Sequence, residues 1–136
     1  MAVSIQGAEG RVPITVLDIQ GDLDYSNYLE VIQVVRSAYG TGARYLLIDL
    51  GGVPFMGSSG LVALHSAALI MAGMEPPDPE YGWQSFHALG DEVSEEIQAR
   101  VKLVNPQPRV DQMLERTGLK RYFAIYVERS EAVAAF

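Results

Sequence analysis

Four short apolar segments, separated by stretches with a helical period, constrain this chain more than any other feature. Residues 12–19 carry Val12, Ile14, Val16, Leu17 and Ile19, and their length and branching read as a strand buried on at least one face. The run Tyr45-Leu46-Leu47-Ile48-Asp49-Leu50 is of the kind found inside a sheet covered on both sides. Val101-Lys102-Leu103-Val104, closed by Asn105-Pro106, and residues 122–127 are two further strand candidates. Between the strands, Leu29, Ile32, Val35 and Tyr39 fall at helical spacing after Ser26, a candidate N-cap, and glycines at 40 and 42 end that helix. Leu61, Leu64, Ala68 and Met71 share one face of a second helix from about Ser58, with alanines at 63, 67, 68 and 72 beside them. Val110, Met113 and Leu114 mark another helix from about Pro108 to Arg116, with Gly118 as its C′ residue, and Ser130 is placed to cap a terminal helix. Strands alternating with helices favour an α/β layer over all-α or all-β designs.

Residues 73–100 break the rhythm. Pro76, Pro77 and Pro79 forbid regular structure at the start of this stretch. The aromatics Tyr81, Trp83 and Phe86 form either a local mini-core or a partner surface. Leu89, Val93 and Ile97 are spaced by four, so a short amphipathic helix is expected over 91–100. The 136 residues suit one core, and the expectation is a single domain over 1–136 with an atypical insert at about 73–100. With 10 Lys+Arg against 17 Asp+Glu the net charge is −7, which argues against nucleic-acid binding by phosphate neutralisation. No apolar run approaches the roughly 20 residues a membrane-spanning helix needs. The absence of cysteine removes disulfides, thiolate catalysis and Cys-ligated metal sites. Residues 1–11 lack a basic start followed by an apolar core, so no secretion signal is expected and a cytoplasmic location is.

The densest chemical signal is Phe55-Met56-Gly57-Ser58-Ser59-Gly60-Leu61, a loop that leaves a strand and enters a helix. A serine at a helix start sits among unpaired backbone N–H groups, which would hold a phosphate on that serine as readily as the bare hydroxyl caps them. Ser58 therefore reads either as a plain N-cap or as a modification site, and Gly60 as the residue that lets the helix pack closely. A serine nucleophile has little support. The pattern G-x-S-x-G is not met at Ser58 or Ser59, His65 lies two turns along the same helix, and nothing in the spacing draws His87 from the insert. Asp22, Asp24 and Asp49 could converge at one sheet edge, but Asp22 and Asp24 read better as turn and capping residues than as metal ligands. No phosphate-cradling glycine motif is present, so neither a metal nor a cofactor is expected.

Three of these segments together, Gly21-Asp22-Leu23-Asp24, Tyr45 to Leu50 and Phe55 to Leu61, resemble the STAS domain shared by anti-sigma factor antagonists and the cytoplasmic tails of sulfate transporters. The first is similar to that family's G-E-L-D and the third to its F-M-D-S-S-G-L. Val101 to Val104 and Met113-Leu114-Glu115-Arg116-Thr117-Gly118-Leu119 resemble its closing strand and the helix that follows. The resemblance covers about 12–72 and 101–133. It implies an α/β fold with a STAS-like small mixed β-sheet and helices packed mainly on one face, and function by protein binding rather than catalysis.

For the antagonist branch, the resemblance implies an anti-sigma factor kinase that phosphorylates Ser58, less favourably Ser59, and a phosphatase that resets the switch. It also implies a partner-binding set of Asp22, Asp24, Met56, Gly57, Ser58, Ser59, Gly60 and Leu61. Gly57 stands where the family has aspartate, which removes a carboxylate from the recognition loop. The alternative reading is a phosphorylation-independent STAS scaffold, related to the transporter domain or to a multi-subunit signalling complex. The apolar, aromatic insert also leaves room for a homodimer.

Overall fold

The computed structural model describes residues 2–76 and 91–136. Five strands form one sheet in sequential order: β1 (Ala2–Glu9), β2 (Pro13–Gln20), β3 (Leu46–Gly52), β4 (Val101–Val104) and β5 (Ala124–Tyr126). β1 runs antiparallel to β2, with Ile5 opposite Leu17, and the other three pairings are parallel, so the sheet is mixed as expected. Five helices connect and close it: α1 (Tyr28–Gly40), α2 (Ser58–Met71), α3 (Asp91–Arg100), α4 (Pro108–Arg116) and α5 (Arg129–Ala135), with a 3₁₀ turn at Leu119–Tyr122. Stepping from β2 to β5 always in one direction, with parallel crossovers of one hand, puts the connecting helices on a single face.

That face holds the main core. Leu17, Ile19, Ile48, Leu50 and Leu103 of the sheet pack with Val31 and Val35 of α1, Leu61 and Leu64 of α2, Ile97 of α3, and Val110 and Leu114 of α4. The burial of Ile97 ties the end of the 73–100 stretch to this core. The opposite face has a smaller cluster, Ile14, Val16, Leu47 and Val104, covered by Ala132 of α5. Arg129 at the start of α5 reaches the same face and binds the Asp49 carboxylate at 2.6 Å.

Several expectations need adjustment. No strand was expected before Val12, yet β1 is an eight-residue edge strand whose residues are exposed except for the half-buried Val3 and Ala8. The first helix begins at Tyr28 with Asn27 as N-cap, not at Ser26. Ser130 lies inside the first turn of α5, where Glu128 is the N-cap. The last strand is confined to Ala124–Tyr126, because the 3₁₀ turn takes up Tyr122. Gly118 adopts φ 78°, the left-handed conformation that ends α4 and that side-chain-bearing residues rarely adopt. Tyr81, Trp83, Phe86, His87 and Leu89 lie outside the described residues.

Candidate functional site

The site is built where the loops after β2 and β3 run side by side. Main-chain bonds continue the parallel ladder beyond the strands: the Gly21 N–H donates to the Gly52 carbonyl (2.8 Å), Leu23 N–H to Phe55 (3.0 Å) and Gly57 N–H to Leu23 (3.0 Å). Leu23 and Met56 form a parallel bridge, and both side chains are buried. Gly60 is required by this closeness, since a Cβ there would collide with Met56 Cγ and come within 2.9 Å of the Leu23 carbonyl oxygen. Met56, Gly60 and Leu61 are buried, so they support the loop from beneath.

The loop after β2 is tied by its own polar side chains. The Asp24 carboxylate accepts from the Ser26 N–H (2.9 Å) and hydroxyl (2.6 Å), while Asn27 accepts from the Asp24 N–H (2.9 Å) and donates to the Asp22 carbonyl (2.8 Å). The two bonds from Ser26 hold the Asp24 carboxyl below its ordinary pKa. Asp24 is thus a turn residue, as read from the sequence, and Asp22 is exposed beside it. Asp49 does not join them. It is engaged by Arg129 and by the Gly51 N–H, and no group of three or more metal-ligating side chains occurs among the described residues.

Ser58 is the first residue of α2 rather than its cap. Gly57 occupies the N-cap position in extended conformation, φ −84° and ψ −179°, without a side-chain capping bond. The Gly57 carbonyl accepts from the Gly60 N–H (3.0 Å) and the Leu61 N–H (3.4 Å), so the N–H groups of Ser58 and Ser59 are the two left open at the positive end of the helix. Ser58 is exposed and Ser59 half-buried. A side chain would fit at Gly57, because a Cβ there would lie 3.9 Å from both Asp24 Cβ and Phe55 Cε1. The substitution of glycine for the family carboxylate therefore removes a cap and a charge without being forced by packing.

Around the loop, Tyr25 (80%), Leu29 (47%) and Phe55 (45%) hold large apolar surface in solvent. None was among the expected contact residues, although aromatic side chains are enriched at interface cores. His65 is buried in α2, and loss of water lowers its pKa to about 4, so it is neutral at physiological pH.

Residues 6–69 match the STAS domain family model. The resemblance read from the sequence therefore stands, and the STAS match spans β2, α1, β3 and nearly all of α2, including the whole candidate loop. An anti-sigma factor antagonist from Mycobacterium paratuberculosis is similar at 20% identity and TM-score 0.65, over 98% of this chain and 93% of that one. The Bacillus cell fate determinant SpoIIAA in its phosphorylated form is similar at 18% identity and TM-score 0.57, over 97% and 96%. The murine Solute Carrier 26 family member A9 anion transporter is similar at 19% identity and TM-score 0.57, over 88% of this chain but only 17% of the transporter. At these identities the likeness is one of fold: the mixed five-stranded sheet with its helices is the STAS fold. No curated protein matches the chain in sequence. No helix among the described residues is long and apolar enough to cross a membrane.

Proposed function

We propose that this chain is a cytoplasmic, non-catalytic interaction module of the anti-sigma factor antagonist kind, switched by phosphorylation of Ser58. The observation that carries the reading is Ser58 itself, an exposed hydroxyl at the first position of α2, with two open backbone N–H groups beside it and a rigid, buried support below. A phosphate there gains charge-assisted bonds from those groups and adds close to two negative charges to the surface without refolding the domain. The partners are an anti-sigma factor acting as serine kinase and a phosphatase. Asp22, Asp24, Gly57, Ser58 and Ser59 form the contact surface, with Tyr25, Leu29 and Phe55 around it. On this reading residues 1–136 are one domain, and the stretch 73–100 elaborates it, as the burial of Ile97 in the main core supports.

The test is an intact-mass spectrum of the protein purified from its own host, with fragmentation to place any phosphate, alongside a Ser58→Ala variant. Phosphate at Ser58 or Ser59, and signalling that changes with Ser58→Ala, is the expected result. Gly57 favours a second reading, a STAS scaffold that binds without phosphorylation. That reading holds if the protein stays unmodified under several growth conditions and Ser58→Asp binds its partners as the unsubstituted protein does.

A further inference from the structure

The loop that carries Ser58 separates two surfaces of opposite charge. On the β2 side lie Asp22 and Asp24; on the β4 side lies α4, since β4 is the next strand in the sheet. α4 buries Val110 and Leu114. Its two carboxylates face away from the loop toward Lys120: Asp111 binds it at 2.9 Å, and that hydrogen bond, followed by the charges of Asp111 and Glu115, raises the Lys120 pKa. The remaining stripe, Arg109, Gln112, Met113 and Arg116, follows the i, i+3, i+4, i+7 spacing and lines a shallow groove of about 270 Å³ whose other wall is Phe55 and Met56.

The charges in this groove are not used internally. Arg36, Arg100, Lys120 and Arg129 are in salt bridges. Arg44, Lys102 and Arg121 donate hydrogen bonds to carbonyl or phenol oxygens. Among the described residues, only Arg11, Arg109 and Arg116 of the ten Lys and Arg have no such partner, and two of these three meet at one groove. In a chain of net charge −7, two unpaired guanidiniums about 10 Å apart along a helix, over an apolar floor, complement an anionic and apolar ligand.

We propose that the groove between the 55–56 loop and α4 is a docking site for an acidic segment of a partner protein, whose apolar side chain rests on Phe55 and Met113 while carboxylates pair with Arg109 and Arg116. This rests on reading the chain as an interaction module, but not on Ser58 being phosphorylated. If both hold, the phosphate adds negative charge to the loop that forms one wall of the groove, and an acidic segment is repelled from it.

The probe is an acetylated, amidated peptide Glu-Glu-Leu-Leu-Glu-Glu, titrated into the ¹⁵N-labelled full chain, with the Lys-for-Glu peptide as counterpart. The acidic peptide is expected to shift the amides of residues 55–56 and 109–116 saturably, more weakly at high salt. Replacing both arginines (Arg109→Gln with Arg116→Gln) is expected to weaken binding about tenfold, since two exposed ion pairs are lost. Both side chains are exposed, and unchanged circular dichroism and melting would show that the double variant still folds. The titration uses the unphosphorylated chain, so its outcome bears on the groove alone and separates failure here from failure of the phosphorylation switch. Shifts elsewhere or none, equal binding of the lysine peptide, or undiminished binding by the folded double variant would each overturn the proposal.

Discussion

Helices α2 and α4 flank the same loop and have opposite characters. α2 is buried at every position from Gly60 to Met71, including the polar His65 and Ser66. α4 buries only Val110 and Leu114 and leaves its arginines in solvent. A helix that is apolar on all sides belongs to the interior, and its function is to hold something still; a sharply two-faced helix offers a surface. The serine sits at the one exposed end of the buried helix, so its position is set by the core. The exposed polar and charged side chains lie on the neighbours, α4 on one side and the Asp22–Asp24 turn on the other. Support and exposed surface thus fall to different elements, and on the proposed function so do rigidity and recognition.

Truncation tests that division most directly. Leu64→Ala in α2 removes a fully buried side chain and is expected to cost about 2–5 kcal/mol, read by urea or thermal denaturation. Arg116→Ala in α4 is expected to stay within about 0.5 kcal/mol of the unsubstituted protein. Comparable losses at the two positions would break the comparison.

A pH titration sharpens it. His65 is lowered from 6.5 to about 4 by burial, so the unfolded chain takes up a proton that the folded chain refuses. Its contribution to stability is fully present above about pH 6.5 and is lost as the pH falls toward 4, on the order of 3 kcal/mol in all. His65→Gln is neutral throughout this range and is expected to flatten the slope between those limits. An unchanged slope would mean that the imidazole is protonated inside the fold. Smaller again is Gly60→Ala, where the contact with the Leu23 carbonyl, which has no freedom to retreat, outweighs what alanine gains over glycine in a helix. The expected net loss is about 1 kcal/mol.

The elements read best from sequence are those closed by residues with hard backbone preferences. Val101–Val104 ends at Asn105-Pro106, and Pro108–Arg116 starts at a proline and finishes before Gly118, so local chemistry marks their limits. β1 was not legible. It pairs with the very next strand across the short turn at 10–12, but it lies at the sheet edge with most side chains in solvent, so no buried face marks it in the sequence. The cap of α2 slipped by one residue because serine and glycine are both acceptable at an N-cap, and only the extended conformation of Gly57 decides between them. The groove beside α4 needed the fold as well. Nothing local singles out Arg109 and Arg116; it is β3 and β4, neighbours in space but far apart in sequence, that bring Phe55 against them.

The smallest predicted effect concerns Gly57, where stability and recognition separate most clearly. Its backbone is extended and a Cβ meets only ordinary contacts, so neither Gly57→Asn nor Gly57→Asp should strain the loop. Asparagine at this N-cap is expected to stabilise the protein by a few tenths of a kcal/mol. Aspartate adds a favourable interaction with the helix dipole, but it also faces the Asp24 carboxylate, which Ser26 keeps ionised. The two charge effects oppose each other, so Asp should gain no more than Asn in low salt. Thermal denaturation of both variants, each in low and in 1 M salt, checks this. Loss of stability in both variants would mean that the loop requires glycine for backbone reasons. A small gain in both would mean that folding does not require glycine here, and Gly57→Asp would then be the variant in which to test the proposed kinase recognition of Ser58.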